Sequence, residues 1–364
     1  MKILVIGNNQ RGMQIFRGML IQKLIEMGNK LAVVIPVDED TRFFDDIHAK
    51  LIDLPIDRRG KNPLKELALL FRYHKIIKKE SPDFLITYTI KPNVYGGLIA
   101  RSLSIPYATN ITGLGTAFEG SGAVKRAATI LNKVALKGAK VVFFENEANK
   151  DYFVQSGIIK NSQAKVLNGA GVDLDYFTYQ PYPDNRIFKF LFIGRVMKEK
   201  GMDELLAAMD MLLEKGYECT LDIVGGLEED YSERLAEYKK RGLINYYGLQ
   251  SDVRPFIAKA NCFILPSWHE GMANTNLENA ASGRPVITSN IPGCREAIID
   301  GVTGLLNEPK DKNSLFEKME MMLSMSKDKL EEMGVRGRKH MEEHFDKKEV
   351  VADTINSMLE GTSY

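Results

Sequence analysis

Short apolar runs alternate along the chain with longer stretches in which apolar residues recur every three or four positions. The short runs have the length and β-branched composition of buried strands, and the longer stretches have the period of helices that cover a sheet. The alternation predicts an α/β protein with parallel sheets. The predicted strands are residues 2–6, 31–36, 50–54, 83–88, 107–110, 139–144 and 164–167 in the first half, and 189–194, 220–224, 244–247, 262–265, 285–288 and 304–307 in the second.

Each half of the chain carries enough strands for one Rossmann-like, doubly wound parallel-sheet domain. Residues 179–185 are polar, rich in proline and without periodicity, and they predict a boundary between a first domain, 1–180, and a second domain, 185–345. Helical periodicity continues in a charged helix at 327–344 and in a last helix within 346–364. Ligands of such folds bind at the carboxyl ends of the strands, so we expect a cleft where the two domains face each other.

The composition of this 364-residue chain is that of a soluble globular protein, with 44% hydrophobic and 27% charged residues. No apolar run approaches the roughly 18 residues that a membrane span needs, and the first apolar run is too short for a signal peptide. The three cysteines form no CxxC pair, and the five histidines form no cluster. We therefore expect a cytoplasmic protein without a disulfide framework or a metal site.

Basic residues are concentrated in the first half of the chain. Residues 1–180 contain 25 Lys and Arg and 17 Asp and Glu, a net charge of +8, whereas the remainder has 24 and 31, a net charge of −7. Within 60–140 the balance is 13 basic against 4 acidic residues. A nearly neutral protein with one basic lobe predicts an anionic partner for that lobe.

Two amphipathic stretches, 62–79 and 123–140, account for most of this positive charge. Their polar faces are either solvated, as is common for helices that cover a core, or they dock on an anionic bilayer or a lipid phosphate. Nucleic acid is disfavoured because the basic stretches lack interleaved stacking aromatics. The apolar residues at helical spacing, expected to face the core, are Leu64, Leu67, Leu70, Phe71 and Ile77 in the first stretch and Val124, Ala127, Ala128, Leu131, Val134 and Ala135 in the second.

Three turns of the first half, 7–12, 89–93 and 111–116, follow predicted strands and are rich in small and polar residues. The first matches neither a dinucleotide-binding loop nor a Walker loop. Each turn is either a plain connection or a loop that contacts a sugar or a phosphate. The candidate contact residues are Gly12, Lys91, Asn93, Thr112 and Gly113.

Arg195 and Lys200 flank the turn after the first strand of the second half. Two cations at the carboxyl end of a strand can hold a diphosphate, with the guanidinium as a bidentate donor and the ammonium as a point charge. Cations are also common as solvated residues in such turns. The pair alone therefore fits both interpretations.

Glu270 and Glu278 lie on either side of a turn of small residues that leads into a helix ending at Gly283. A hydrolase pair is disfavoured, because eight helical residues rise about 12 Å and paired glycosidase carboxylates are roughly 5–9.5 Å apart. The two carboxylates could instead accept hydrogen bonds from hydroxyls on either side of a phosphate held at the helix N-terminus. The alternative is a helix-terminal acid, Glu278, with an unrelated Glu270.

Together, Arg195, Lys200 and the run from Glu270 to Glu278 resemble the family 4 retaining glycosyltransferases of the GT-B fold. The first half is more loosely similar, with loops like those of bacterial enzymes that build capsule, O-antigen or lipid-linked glycans. The resemblance implies two Rossmann-like domains and a last helix that crosses back to the first domain. It continues in order through residues 225–226, 247–249, 260–267, 283–287 and 300–306.

The resemblance also implies roles for these residues. Arg195 and Lys200 would hold the diphosphate of a nucleotide sugar, Glu270 would bind hydroxyls of the donor sugar, and Glu278 would accept hydrogen bonds from the ribose. Anomeric configuration would be retained, and neither a metal nor another cofactor would be required. The further donor-side residues that the resemblance implies are Gly248, Gly271, Met272, Ala273, Asn274 and Thr275.

The chain departs from the family pattern at several positions. The loop in which many relatives carry a histidine has Ile90 or a neighbour there, Asn8 and Asn9 replace glycines, and the residues after Glu270 include Met272 and Asn274.

We expect a retaining glycosyltransferase that moves a sugar, most simply from a UDP donor, to a surface glycan or an undecaprenyl-diphosphate-linked acceptor, in peripheral contact with an anionic membrane. The alternatives are a UDP-sugar 2-epimerase on the same fold and a non-catalytic protein that binds a sugar nucleotide.

Overall fold

Contacts between residues divide the chain into two units. The computed structural model describes residues 1–38, 40–57, 60, 62–114, 118 and 122–359. Unit 1 comprises Met1–Ala170 and Lys348–Tyr364, and unit 2 comprises Gly171–Lys347. The division precedes the polar segment 179–185, because Val172 already belongs to unit 2: its N–H donates to the carbonyl of Phe345 at 2.8 Å, and its carbonyl accepts from the N–H of Lys347 at 3.1 Å.

In its described part, unit 1 is built on a sheet of seven parallel strands with the order β3-β2-β1-β4-β5-β6-β7. The order reverses direction beside β1, as in doubly wound folds. The strands are β1 (Lys2–Ile6), β2 (Lys30–Ile35), β3 (Lys50–Asp53), β4 (Phe84–Tyr88), β5 (Tyr107–Ile111), β6 (Val141–Phe144) and β7 (Ala164–Val166).

The helices of unit 1 cover both faces of this sheet. They are α1 (Gln10–Gly12), which continues through a π-helical turn (Met13–Arg17) into α2 (Gly18–Glu26), then α3 (Arg42–Asp46), α4 (Pro63–Glu80), α5 (Ile90–Ser102), α6 (Ala123–Leu136), α7 (Glu147–Gln155) and the last helix α14 (Lys347–Leu359).

Alternate side chains of the unit 1 strands enter two separate cores. Ile3 and Val5 pack with α2 and with Val350, Val351, Ile355 and Met358 of α14. Leu4 and Ile6 pack on the opposite face, with buried residues of α4, α5 and α6. The last helix thus belongs to the core of the first unit, which confirms the implied return of the chain.

The prediction that the apolar stripes of α4 and α6 face the core is wrong for most of their residues. In α4 the side that faces the core carries Leu69, Tyr73 and Ile77. The adjacent side carries Leu64, Leu67 and Phe71, which are exposed. In α6 the core receives Ala135 and Leu136 and the amide of Asn132, whereas Val124, Leu131 and Val134 are exposed.

Unit 2 repeats the doubly wound plan around a single described core, with six parallel strands in the order β10-β9-β8-β11-β12-β13. The strands are β8 (Phe188–Ile193), β9 (Cys219–Val224), β10 (Ile244–Tyr246), β11 (Cys262–Leu265), β12 (Val286–Ser289) and β13 (Gly304–Asn307). The helices are α8 (Met202–Glu214), α9 (Ser232–Lys240), α10 (Arg254–Lys259), α11 (Asn274–Ala281), α12 (Lys312–Ser324) and α13 (Lys327–His344).

The predicted strands all occur, each within two residues of its predicted ends. The charged helix at 327–344 is confirmed as α13, and the last helix is described as far as Leu359, with 360–364 outside the described residues. Among the helices of the described chain, none is long and apolar enough to cross a membrane.

Candidate functional site

Glycine backbone lines part of the carboxyl edge of the unit 2 sheet. The N–H of Gly194, which follows β8, donates to the carbonyl of Val224 at 2.9 Å, and the N–H of Gly225 donates to the carbonyl of Gly248 at 2.8 Å. A Cβ on Gly225 would lie 1.8 Å from the carbonyl oxygen of Gly194. Glycine is therefore required at 225 by the close approach of two backbone segments, whereas a Cβ on Gly226 or Gly248 would meet nothing within 4 Å, so a ligand has room beside the main chain there.

Lys200 and Glu270 are brought together at this edge. Their ammonium and carboxylate groups form an ion pair, and both side chains are largely shielded from solvent. Arg195 lies nearby in sequence with its side chain 54% exposed, and its Nη1 is 3.8 Å from Oε2 of Glu228, too far for a hydrogen bond. One cation is thus held by an acid of the site, and the other has room to turn toward a ligand.

Close backbone contacts fix the turn that carries Lys200. Gly201 has φ +74°, and a Cβ there would lie 2.1 Å from the carbonyl oxygen of Pro266. The N–H of Trp268 donates to the carbonyl of Glu199 at 2.9 Å. The turns that follow β8 and β11 are therefore locked together, and with them Lys200 and Glu270.

A third loop supports the residues that follow Glu270. The carbonyl of Gly293 accepts from the N–H of Ala273 at 2.7 Å, and the N–H of Gly293 donates to Oε2 of Glu296 at 2.8 Å. Gly293 has φ +85°, and a Cβ there would lie 2.6 Å from the carbonyl oxygen of Gly271 and 2.7 Å from that of Glu270. Only glycine fits this contact without moving the loop.

Helix α11 begins at the end of this loop. Its N-cap is Ala273, and no side chain of a described residue caps it. Met272 and Ala273 are buried, and Thr275 is half-buried. Oδ1 of Asn274 is buried and accepts no hydrogen bond from a described residue. The N-terminus of α11 thus offers positive potential and a free acceptor beside Gly271.

Glu278 lies in the second turn of α11. Burial raises the pKa of its carboxyl from 4.5 to about 7, while the positive charge of Lys347 opposes this rise. The side chain keeps partial solvent contact. At neutral pH the carboxyl is therefore divided between its acid and its carboxylate, and a ligand that donates hydrogen bonds would favour the carboxylate.

Several residues of this site were missed by sequence reasoning. They are Gly201, Gly293, Glu296 and Cys294. Burial and the charge of Glu270 raise the pKa of the Cys294 thiol, which keeps it protonated beside the ion pair. The Pro-Gly step at 292–293 signals a turn, but nothing in the sequence indicates which loop that turn supports.

In unit 1 the predicted loop 89–93 is the start of helix α5, with Thr89 at its N-cap at φ +73°. Lys91 does not point a free ammonium at a ligand. Its Nζ donates to Oε1 of Glu66 at 2.6 Å and to the carbonyls of Asp57 and Gly60 at 2.6 and 2.9 Å, which uses all three N–H donors. Lys91 therefore anchors the segment before α4, and its contact with a sugar stays a prediction.

The other first-unit candidates lie near the carboxyl edge of their sheet. Nδ2 of Asn93 donates to the carbonyl of Asn110 at 2.8 Å, and its buried Oδ1 accepts from no described residue. Thr112 and Gly113 follow β5 and are half-buried. Gly12 closes α1 by donating its N–H to Oδ1 of Asn9. The predicted loop 111–116 includes Gly115 and Thr116, which lie outside the described residues.

The same edge carries a buried ion pair that sequence reasoning missed. Nη2 of Arg17, at the end of the π-helical turn, lies 2.7 Å from Oε1 of Glu145, which follows β6. The guanidinium also stacks over the ring of Tyr88, 4.8 Å from its centroid. The three elements that meet here are thus held by charge as well as by apolar packing.

Comparison with known proteins agrees with this geometry. Residues 2–146 match the family model described as glycosyl transferase 4-like, and residues 187–325 match the model described as glycosyl transferases group 1. The chain is 29% identical over 329 residues, 86% of each protein, to the N,N'-diacetylbacillosaminyl-diphospho-undecaprenol alpha-1,3-N-acetylgalactosaminyltransferase of Campylobacter jejuni. It is 26% identical over 297 residues, 76% of this chain and 75% of the relative, to the UDP-Gal:alpha-D-GlcNAc-diphosphoundecaprenol alpha-1,3-galactosyltransferase of Escherichia coli.

Solved structures show the same architecture. The Anabaena protein HepE, solved in complex with UDP and glucose, is similar to this chain with a TM-score of 0.79 at 19% identity, over 98% of this chain and all of the other. At 19% identity the similarity shows a shared fold only. The predicted α/β architecture, with two doubly wound parallel-sheet domains of the GT-B type, is confirmed.

Proposed function

The chain belongs to the family 4 glycosyltransferases, and on that premise we propose that it transfers a sugar from a UDP-linked donor to an undecaprenyl-diphosphate-linked glycan. Both relatives named above are transferases whose names specify a diphospho-undecaprenol acceptor, and one name specifies a UDP donor. The observation that carries the proposal is the Lys200–Glu270 ion pair, held between the glycine-lined sheet edge and the N-terminus of α11. The relatives give no support to the epimerase alternative.

Arg195 and Lys200 would bind the donor diphosphate. The guanidinium of Arg195 is exposed enough to swing onto an anion, and Lys200 would share its ammonium between Glu270 and a phosphate oxygen. As the bond from the anomeric carbon to the phosphate breaks, negative charge grows on the leaving diphosphate. Lys200, held by Glu270, the guanidinium of Arg195 once it has turned onto the anion, and a helix N-terminus would stabilise that charge more than they stabilise the bound donor.

Glu270 and Asn274 would bind the hydroxyls of the donor sugar. The carboxylate of Glu270 and the free Oδ1 of Asn274 are acceptors on either side of the Gly271–Ala273 backbone, so both can receive sugar hydroxyls. Met272 and Ala273 are buried, and they and Thr275 would act through the main chain at the helix N-terminus.

The nucleotide would lie toward the other end of the site. Glu278, with its raised pKa, would accept hydrogen bonds from the ribose hydroxyls as a carboxylate. The strand edge at Gly248 has no side chain and lets the nucleoside approach the backbone. In unit 1, Gly12, Asn93, Thr112 and Gly113 would form the acceptor side.

The transfer would retain anomeric configuration. The acceptor hydroxyl would attack the anomeric carbon from the face that the diphosphate leaves, forming the new C–O bond as the old one breaks. The acceptor proton would pass to an oxygen of the departing phosphate, and UDP would be released. The protein's part would be to hold both substrates and stabilise the separated charge.

Because the acceptor carries a lipid, the enzyme would work on the inner face of the cell membrane in peripheral contact with anionic lipid. The positive balance of residues 60–140 supports this placement. Contact with the membrane is a separate proposal from the transfer chemistry at the unit 2 site.

The test is product analysis with a panel of UDP- and GDP-sugars and a synthetic diphosphate-linked glycan. We expect UDP release only when the acceptor is present, an α-linked product from an α-linked donor by NMR, and loss of turnover in Glu270→Ala with Lys240→Ala as the exposed control. Formation of an epimerised UDP-sugar without acceptor, an inverted product, or turnover of a GDP-sugar alone would each contradict one part of the proposal.

A further inference from the structure

Helix α4 presents large apolar side chains to solvent in its first half. Leu64, Leu67 and Phe71 are 78%, 50% and 65% exposed, and they lie on successive turns of one side. The inner side of the helix is already filled by Leu69, Tyr73 and Ile77. The exposed stripe is therefore not an incomplete core contact.

Helix α6 shows the same arrangement more strongly. Val124, Ile130, Leu131 and Val134 are exposed, with fractions from 64% to 42%, whereas the amide of Asn132 is buried and donates to the carbonyl of Ala128 at 2.8 Å. A helix that buries an asparagine and exposes four aliphatic side chains is reversed relative to one that only covers a core.

The two stripes lie on one side of unit 1. Both helices pack against α5 on the same face of the sheet. Both also begin at its carboxyl edge, because each follows a strand of a parallel sheet. The first turns of α4 and α6 are thus near the edge where ligands of such sheets bind. We call the exposed set the α4–α6 surface: Leu64, Leu67, Phe71, Val124, Ile130, Leu131 and Val134.

The cations around this surface are not neutralised by ion pairs with described residues. The nearest acids on α4 are already used: Glu66 accepts from Lys91 and Tyr95, and the buried Glu80 pairs with Lys2 and Lys50. The exposed cations, none of which forms an ion pair with a described residue, are Lys65, Arg72, Lys75, Lys78 and Lys79 on α4, and Arg126, Lys133 and Lys137 on or just after α6.

We propose that the α4–α6 surface inserts into an anionic bilayer, with its apolar side chains at the boundary between headgroups and acyl chains and its cations on lipid phosphates. Exposed apolar stripes flanked by Lys and Arg on in-plane helices are what such a surface requires. The helices are separated by α5, so the stripes form two parallel ridges. A fluid lipid surface can follow both ridges while supplying negative charge along their whole length.

This inference rests on the proposed function. Insertion of the α4–α6 surface would place the carboxyl edge of unit 1 beside the membrane that holds a lipid-linked acceptor. It adds a mode of contact that net charge alone does not require. Electrostatic adsorption needs only the cations, whereas the α4–α6 surface predicts that the apolar residues enter the lipid and contribute much of the binding.

The experiment is co-sedimentation of the full chain with vesicles of phosphatidylcholine, with and without phosphatidylglycerol. The apolar variant combines Leu67→Ser, Phe71→Ser, Leu131→Ser and Val134→Ser, and the matched control combines Leu213→Ser and Met321→Ser, which alter exposed apolar residues of unit 2. We expect the apolar variant to bind anionic vesicles roughly tenfold or more weakly than the wild type and the control. Equal binding by all three would overturn the proposal.

Depth of insertion gives a second readout. Trp268 is the sole tryptophan, so Phe71→Trp and Leu213→Trp can be compared in a Trp268→Phe background. We expect bromine-labelled lipid to quench the indole at position 71 and not that at position 213. Absence of quenching at 71 while the protein is bound would reduce the contact to surface electrostatics and refute insertion.

Two further arms separate the alternatives. If the stripes instead join two copies of the chain, mass photometry will show a wild-type dimer that the apolar variant loses, which would overturn the bilayer assignment. If the transfer chemistry holds, the apolar variant will keep wild-type turnover on a water-soluble short-chain acceptor and lose it on an acceptor embedded in vesicles. Failure of the wild type on both acceptors would sink the proposed function, while the vesicle assays would still decide the surface.

Discussion

Unit 1 and unit 2 are built on the same doubly wound parallel sheet, yet they distribute charge and apolar surface differently. Unit 1 buries an ion pair, Arg17 with Glu145, and exposes two apolar stripes on α4 and α6. Unit 2 also shields an ion pair at the carboxyl edge of its sheet, Lys200 with Glu270, but it exposes a further cation, Arg195, after the same strand β8. The sheet therefore does not decide what each unit can bind, and the side chains at its edge and on its outer helices do.

The difference fits two kinds of partner. A lipid surface is broad and fluid, so it can be met by many cations spread along helices, none placed to better than a few ångströms. A diphosphate is small, so a group that holds it must be placed precisely, as the close backbone contact of Gly201 with Pro266 does for Lys200. The exposed side chain of Arg195 has room to turn onto such a ligand. Substitutions in the two units should therefore affect different measured quantities, which are stability, turnover and donor binding.

The largest effect is expected from the buried pair of unit 1. Glu145→Ala leaves the guanidinium of Arg17 without its partner, and it should lower the free energy of unfolding by about 3–5 kcal/mol. Asp40→Ala removes the exposed partner of Arg42 and should change the free energy of unfolding far less, because solvent screens that pair. Hydrogen exchange of unit 1 peptides measures both. Equal losses would mean that the buried charges contribute no more than surface ones.

The next effect is catalytic. Lys200→Met removes the ammonium that pairs with Glu270 and that we propose holds the leaving diphosphate, so kcat should fall by roughly 10²–10³-fold. Lys240→Ala, an exposed lysine on α9, should leave kcat unchanged. Steady-state turnover with saturating donor measures this. A loss confined to KM would show that Lys200 binds the donor without favouring the transition state.

The glycine contacts of unit 2 should give a smaller effect, which is measured as stability. Gly201 and Gly216 have similar φ values, +74° and +81°, but only the Cβ of the first would meet backbone, whereas nothing lies within 4 Å at the second. Gly201→Ala should therefore destabilise unit 2 by about 1–3 kcal/mol more than Gly216→Ala. Trp268 fluorescence during unfolding in urea measures the stability of this unit. Equal stabilities of the Gly201→Ala and Gly216→Ala variants would exclude a close backbone contact at Gly201.

The smallest effect concerns pH. Because the folded-state pKa of Glu278 is raised to about 7, donor affinity should increase as pH rises through 7, by up to roughly tenfold between pH 6 and 8 if only the carboxylate binds. Glu278→Gln should bind weakly and with a flat pH profile. Calorimetric titration of UDP measures it, and a wild-type profile as flat as that of the variant would remove Glu278 from the binding step.

The same shift has a consequence for stability. A carboxyl whose pKa is raised on folding binds its proton more tightly in the folded chain, so stability falls as pH rises from about 4.5 to about 7 and then levels off. Glu278→Gln lacks this loss. Its melting temperature relative to the wild type should therefore increase across that interval, and a difference that stays constant would contradict the shift.

Much of the fold was predictable because strands buried on both faces leave continuous apolar runs, as in β1 and β11. The orientation of α4 and α6 was not. Periodicity marks an apolar side of a helix but does not reveal whether that side meets the core or a partner, so it predicts a core position for Leu64 and Val124, which are exposed.

The candidate site divides in the same way. Arg195, Lys200, Glu270 and Glu278 could be chosen from residue type and order, but their states depend on distant partners. The pKa of Glu278 depends on burial and on Lys347, 69 positions away in sequence. The charge of Lys91 makes it a candidate ligand residue in the sequence, but its hydrogen bonds to Glu66 and two carbonyls are seen only in the structure.

The placement of α14 bears on how the protein is made. Residues Val350, Val351, Ile355 and Met358 complete the core of unit 1, but they are synthesised after the whole of unit 2. During translation the Ile3 face of the first sheet therefore stays uncovered on that side while the second unit can already fold. We expect nascent chains stalled before α14 to be held by chaperones and cleaved readily in unit 1, whereas unit 2 is already protected.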